Sequence, residues 1–430
     1  MKAKKQTFVR TSNSWRFSGN ELDYVRGVLT SGFGSSTMGT MNQQLEEAFA
    51  KRFGMKYAIT STSGTSTLHQ ALIAFGVGQG DEVIVPALTV AMCGFAVFHA
   101  GAVPVFADVD PGTFLISSKD IEKKITKKTK AIMVVHLYGQ VCDMDAIMRI
   151  ARKHKLYVLE DCAQCFLGTD HRGRLGGTIA DVGSFSFENS KHVATGEGGI
   201  LVTNNTELAV RMRKFGGIGF KNIQAENARI RKDKNLFQDP KYLRHDSLGF
   251  NYRMPEVVAA VGLAQVERIN YLVAQRRRIA AKYLKAIRDT KCTWLVPQKV
   301  SSGEINSYFT FGVRYEGEKE IGVSWYDFRK KFIEYGGDGI YAAWALVYNE
   351  PVMKMINTDG RCFPDGSAQL KQFQGFLNGR IACPVAESLQ PKLMQFTCNQ
   401  GIEKDMNVQM KALKQAISFF EKQKMKSKKT

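Results

Sequence analysis

Four short apolar runs, Glu82-Val-Ile-Val85, Val103-Pro-Val-Phe-Ala107, Ala131-Ile-Met-Val-Val-His136 and Leu156-Tyr-Val-Leu159, recur along the first half of the chain. Unalternating runs of this length read as strands buried on both faces. Between the last two lies Asp143 to His154, where Met144, Ile147, Met148 and Ala151 fall on one helical face. Strands separated by such helices predict a largely parallel sheet of strand-helix-strand units. Val182-Gly-Ser-Phe-Ser-Phe187 alternates and reads as one more strand. A long helical pattern from Pro255 to about Ile287 leads into a second region. There Ser307 to Val313 reads as a strand, Ser324 to Tyr335 as a helix, and Met406 to Phe420 as a final helix before a lysine-rich tail.

A chain of 430 residues with 44% hydrophobic content exceeds what one compact domain usually holds, so two domains are expected. The start, Met1-Lys-Ala-Lys-Lys-Gln6, is basic and polar, and no apolar run is long enough to span a bilayer. The expectation is a cytoplasmic protein that engages no membrane. Eight scattered cysteines read as reduced thiols. Cys162-Ala-Gln-Cys165 matches a C-x-x-C pattern, but no second Cys/His pair stands at zinc-finger spacing and the seven histidines form no H-E-x-x-H motif. No metal site is predicted.

The formal net charge of +20 raises the alternative of a nucleic-acid partner. The basic stretches, at 1–5, Arg229 to Lys234, Arg276 to Arg278 and Lys422 to Lys429, are dispersed and lack interleaved aromatics. They read as solvated termini and helix faces, with no specific nucleic acid expected. A positive field would still draw in a nucleotide diphosphate.

Lys191 stands between the alternating strand and a glycine-rich turn, Thr195-Gly-Glu-Gly-Gly199. An amine that must condense with a carbonyl needs such a rigid, partly desolvated setting, which lowers its pKa. Asp161 closes the run Leu156 to Leu159 and Glu160, at the carboxyl end of a buried strand, where ligand crevices of α/β sheets lie. A reactive lysine and an aspartate able to hold a pyridinium nitrogen protonated are the minimum pair for pyridoxal phosphate chemistry. Ser61-Thr-Ser-Gly-Thr-Ser66 precedes the apolar-periodic segment Leu68 to Phe75 and reads either as a helix cap or as a phosphate cradle through Gly64, Thr65 and Ser66. Tyr341 and Trp344, in the glycine-rich stretch 336–344, fit either a core or a sugar pocket.

Ser63-Gly-Thr65, Asp81 to Pro86, His136-Leu-Tyr-Gly139, Glu160 to Gln164, Ser184 to Phe187, Lys191, Gly196 to Gly199 and Gly249-Phe-Asn-Tyr-Arg-Met254 together resemble the DegT/DnrJ/EryC1/StrS sugar aminotransferases. The resemblance implies an α/β, aspartate-aminotransferase-like large domain with a mostly parallel seven-stranded sheet, residues 1–265, and a smaller C-terminal α+β domain, residues 266–430. It implies pyridoxal 5'-phosphate on Lys191, with Gln164 near the phenolic oxygen and Ser186 at the phosphate. It also implies Asn251 reaching the neighbouring subunit's phosphate, hence a homodimer with shared active sites. The substrates it implies are glutamate as amino donor and a nucleotide-linked keto sugar. Two positions depart from the pattern. Val90 stands where many relatives stack an aromatic on the pyridine ring, and His192 where asparagine usually follows the lysine. Some relatives replace that lysine with histidine and act as sugar dehydratases, but counting back from Gly196-Glu-Gly-Gly199 puts Lys191 in the reacting position.

Overall fold

The structure, a computed structural model, describes residues 14–31, 40–228, 235–353, 367–377 and 383–427. The basic stretches at 1–5 and 229–234, Cys362 and the last three residues lie outside them. The larger sheet has seven strands: β1 (Tyr57–Ser61), β2 (Glu82–Pro86), β3 (Val103–Ala107), β4 (Thr129–Val135), β5 (Tyr157–Asp161), β6 (Val182–Ser186) and β7 (Gly199–Thr203). Their spatial order is β1-β7-β6-β5-β4-β2-β3. From β6 to β3 all pairs are parallel, and β7 runs antiparallel to both β1 and β6. The four apolar runs and the alternating one form β2 to β6.

These strands are apolar because the sheet is covered on both faces: Ile200 and Val202 enter one core cluster and Leu201 another. The Met144–His154 helix begins as its sequence demands. Asp143 accepts from the Ala146 N–H at 3.1 Å, and Arg152, Lys153 and His154 fill the last turn, where the helix dipole favours cations. Such crossovers leave the carboxyl ends of β2, β5 and β6 at one edge, which is where the candidate residues cluster.

The second sheet, β8 (Leu295–Pro297), β9 (Thr310–Tyr315), β10 (Ile340–Ala342) and β11 (Leu393–Thr397), is antiparallel in the order β10-β11-β9-β8. With the helices Ile269–Asp289 and Glu403–Ser427 it encloses Tyr283, Trp294, Phe311, Phe328 and Phe396. The expected strand at Ser307 starts only at Thr310, because the large domain takes the preceding residues. The Ser307 and Phe309 N–H groups donate to the carbonyls of Gly139 and Tyr138 at 2.9 and 3.0 Å, and Tyr308 turns to φ 53°. The final helix is longer than expected.

The single helix expected over 255–287 is two, Glu256–Glu267 and Ile269–Asp289, bent by 63°. At the break Arg268 leaves helical geometry and donates to the carbonyls of Trp15 and Arg16 at 3.0 and 2.9 Å. Both halves keep an apolar face, so periodicity alone does not reveal the break. Among the described residues no single helix is long and apolar enough to cross a membrane. The bent pair passes that test only jointly, and its Ala259, Leu263, Val266, Ile269 and Val273 are buried in the core.

After β10 the chain returns to the large sheet. Val347 N–H donates to Ala87 O at 3.3 Å, and the Val385 and Ala386 N–H groups cap the Asp108 carboxylate at 3.0 and 2.8 Å. Tyr348 packs on Phe106 with its hydroxyl on Glu387.

Candidate active site

β5 ends in two buried carboxylates that point to opposite faces of the strand. Glu160 is fully engaged. One oxygen accepts from His136 Nε2 and Gly177 N–H, both at 2.9 Å, and the other from the N–H groups of Ile179 and Ala180 at 2.8 and 2.7 Å. Cys142 N–H donates to His136 Nδ1 at 3.2 Å, which assigns the ring proton to Nε2. His136, Glu160 and Cys162 place ligand atoms within 4.8 Å of one another, yet these hydrogen bonds commit the imidazole and the carboxylate. Burial also pushes the Cys162 thiol well above its usual range, against the thiolate a metal requires. The cluster braces β5 rather than offering a metal centre.

Asp161 is buried with far less support. Oδ1 accepts from Ala163 N–H at 2.9 Å and Oδ2 from the Cys93 thiol at 3.4 Å. Burial raises its pKa, while those two donors and the Lys191 charge pull it back. Lys191 follows β6 in a turn closed by its own N–H on Glu188 O at 2.9 Å. Its amine stands 4.4 Å from the Phe309 ring centroid. Burial lowers its pKa and Arg276 adds to the lowering, against Glu188 and Asp161, which shifts the amine toward the neutral nucleophile.

His192 turns the other way. It lies in the core beside Phe166, with Nε2 on Ser307 O at 3.0 Å and Nδ1 buried without a partner. Burial holds it neutral, its pKa well below the usual imidazole value. It packs structure, and Lys191 alone of the two is placed beside Asp161.

The Ser61–Ser66 segment forms a capped helix start and a tight approach at once. Ser63 Oγ accepts from Ser66 N–H and Ser66 Oγ from Ser63 N–H, both at 3.0 Å, a reciprocal capping box opening the helix Gly64–Ala74. Ser66 Oγ also meets Ser61 Oγ at 2.7 Å, so its hydroxyl and N–H are both committed to the cap. Gly64 and Thr65 precede the first helical bond, Thr67 N–H to Ser63 O, and present N–H groups at the positive end of the helix. A Cβ on Gly64 would lie 2.7 Å from Ser186 Cβ, so only glycine lets the helix start abut the end of β6. Ser186 Oγ accepts from Glu188 N–H at 3.3 Å.

Val90 is half-buried in the loop after β2, its carbonyl accepting from Cys93 N–H at 3.2 Å, and through Cys93 this loop reaches Asp161. Gln164 is buried and accepts from Tyr138 N–H at 2.9 Å through Oε1. Asn251 is exposed. It bridges to Gly217 and its Oδ1 accepts from Arg253 Nε at 2.9 Å. Tyr341 and Trp344, 58% and 42% exposed, are not core; they line a cavity of about 460 Å³ with Ser190, Arg276, Phe309 and Asn399.

Sequence reasoning missed Cys93, Phe309, Arg16 and Arg276. Arg276 read as part of a solvated basic run, whereas it is buried against the Lys191 turn; its neighbours Arg277 and Arg278, the latter paired with Glu403, are exposed as that reading expects. The signal was present: Leu272, Arg276, Ile279 and Tyr283 share one apolar helical stripe.

This donor set fits pyridoxal phosphate. An amine biased toward its neutral form meets the need of an aldehyde partner, an under-supported buried carboxylate that of a pyridinium, and the helix start against Ser186 that of a phosphate.

Residues 17–390 match the family model of the DegT/DnrJ/EryC1/StrS aminotransferases. The chain is 43% identical over 268 residues to the GDP-perosamine synthase of Caulobacter vibrioides, covering 62% of this chain and 67% of that one. It is 39% identical over 269 residues to the spore coat polysaccharide biosynthesis protein SpsC of Bacillus subtilis, covering 63% and 67%. The crystal structure of an aminotransferase from Psychrobacter cryohalolentis superposes with a TM-score of 0.80 at 30% identity, covering 93% of this chain and 97% of that one. The chain therefore belongs to the DegT/DnrJ/EryC1/StrS aminotransferase family, in which pyridoxal phosphate is the cofactor.

Proposed function

We propose that this enzyme transfers an amino group from glutamate to a keto sugar carried on a nucleoside diphosphate, with pyridoxal phosphate held on Lys191. The single observation that carries the reading is the pairing of a desolvated lysine with a buried, under-supported aspartate beside a glycine-gated helix start. The name GDP-perosamine synthase, borne by relatives up to 43% identical, supports a GDP-linked sugar.

When bound, pyridoxal phosphate supplies the electron sink for charge developing at the amino-bearing carbon. Lys191 anchors it, then acts as a free amine that takes a proton from one carbon and returns it to another. Asp161 keeps a facing ring nitrogen protonated; its own burial makes a cation its favoured neighbour. The Gly64 and Thr65 N–H groups and Ser186 hold the phosphate, with Ser66 locking the cap that aims them. Tyr138 N–H fixes the Gln164 carbonyl, which would leave the amide N–H free for the cofactor's phenolic oxygen. Val90 would pack on the ring as an aliphatic cover, without the ~0.5–1.5 kcal/mol that aromatic stacking adds. Tyr341 and Trp344 provide flat surfaces for the sugar or base in the cavity beside Ser190. The inward packing of His192 favours transamination over dehydration.

The enzyme works in the cytoplasm as a homodimer in which Asn251 completes the partner's phosphate site; its exposure to a neighbouring surface supports this. Mixing Lys191→Ala with Asn251→Ala subunits then yields hybrid dimers with one intact site, recovering up to half the wild-type activity per dimer. Hybrids no more active than their parents would confine Asn251 to its own chain. For the reaction itself, incubation with glutamate and GDP-linked keto deoxysugars should give an aminated nucleotide sugar by mass. Failure to aminate any nucleotide keto sugar would overturn the substrate class.

A further inference from the structure

We infer that Arg16 and Arg276 are paired positioning residues that grip the main chain around Lys191, Arg276 also holding a positive charge near its amine; what the amine then does rests on the function proposed above. Arg16, from the Ser14–Phe17 turn, donates to Asn189 O at 2.6 Å and to Lys191 O. Arg276, from the Ile269–Asp289 helix, donates to Ser190 O at 2.6 Å, Lys191 O at 3.2 Å and Phe309 O at 2.7 Å. Three consecutive carbonyls are thus fixed, and that of Lys191 by both arginines. Phe309 joins the arrangement: the Lys191 amine and the Arg276 guanidinium lie 4.4 and 5.6 Å from its ring centroid.

Both arginines are buried, and carbonyl oxygens rather than carboxylates accept these bonds. A buried cation without a paired carboxylate is costly, so a purely structural clamp would be better served by an acid nearby. The acid that acts on both is Glu188, and its carboxylate is turned to the Ser190 N–H and hydroxyl. Burial and Arg16 together press Arg276 down to about 9, which leaves it charged at neutral pH. Around the Lys191 amine, Glu188, Asp161 and Cys93 favour the ammonium, while burial and Arg276 favour the neutral amine. Arg16 acts on the main chain, holding the same Lys191 carbonyl that Arg276 holds and the Asn189 carbonyl before it. Carboxylates in place of these arginines would favour the ammonium and blunt the nucleophile.

Acylation of Lys191 by acetic anhydride in the cofactor-free protein, followed across pH by peptide mass, reads the amine directly without turnover. Arg276→Met should raise the midpoint by about one pH unit, as removing a nearby buried like charge does. Arg16→Met, which removes a carbonyl grip but leaves the Arg276 charge, and Arg276→Lys, which keeps charge but loses the planar fork, should each move it by less. Circular dichroism confirms folding; if Arg276→Met does not fold, Arg276→Gln takes its place as the charge-free variant with the same expected rise. A midpoint equal to wild type in the folded charge-free Arg276 variant overturns the inference. A wild type with this midpoint behaviour that takes up no pyridoxal phosphate would instead defeat the proposed function and leave the clamp standing.

Discussion

The two faces of β5 carry neighbouring carboxylates with opposite fates. Glu160 receives an imidazole N–H and three backbone N–H groups and is complete within the chain. Asp161, one residue on, receives one backbone N–H and one thiol in an equally dry setting. A buried charge that the protein satisfies serves the fold, and one that it leaves short serves a ligand.

The largest expected effect breaks the comparison at the reactive amine: Lys191→Ala should abolish transamination while circular dichroism shows the fold unchanged. Asp161→Asn comes next. It should keep cofactor but lower the single-turnover rate with glutamate by roughly 100-fold or more, the scale of losing one oriented electrostatic partner. Near-normal rates would remove Asp161 from its role. Glu160→Gln inverts the pattern. Breaking a buried, hydrogen-bonded pair should cost about 3 kcal/mol in denaturant unfolding, while the folded fraction turns over normally. If Glu160→Gln instead left stability intact and stopped turnover, the two faces would have been assigned the wrong way round.

The contrast was only half legible beforehand. Lys191 and Asp161 stood out because a glycine-rich turn and a strand end mark where a parallel sheet gathers ligands. Nothing local separates Glu160 from Asp161; their difference lies in Gly177, Ile179, Ala180 and Cys93, brought in by tertiary folding. The break at Arg268 and the delayed start of β9 were hidden for the same reason, since Trp15, Arg16, Tyr138 and Gly139 lie far off in sequence. Arg276 was masked by its neighbours Arg277 and Arg278, although its place on the apolar stripe was readable. Tyr341 and Trp344 were left open between core and pocket because aromatic residues among glycines look alike in both.

A smaller effect sharpens the comparison through pH. The Lys191 pKa in the folded protein lies below its ordinary 10.5, so burial disfavours folding while the amine is charged. Lys191→Met should therefore stabilise the cofactor-free protein most at pH values below the folded pKa. The advantage should shrink as pH rises from that value to about 10.5, because only the unfolded wild type still holds the proton across that window. Urea midpoints of both proteins across this range check the sign. Smallest of all, Ser66→Ala should cost about 1 kcal/mol through the lost cap and weaken cofactor affinity without altering the proton-transfer rate.

Reduction of the cofactor-loaded protein with borohydride, followed by peptide mapping, tests the central claim most directly. The account predicts one stable pyridoxyl adduct, on the peptide containing Lys191 and on that side chain. An adduct on any other lysine, or a folded protein that gains no adduct in excess pyridoxal phosphate, would contradict it.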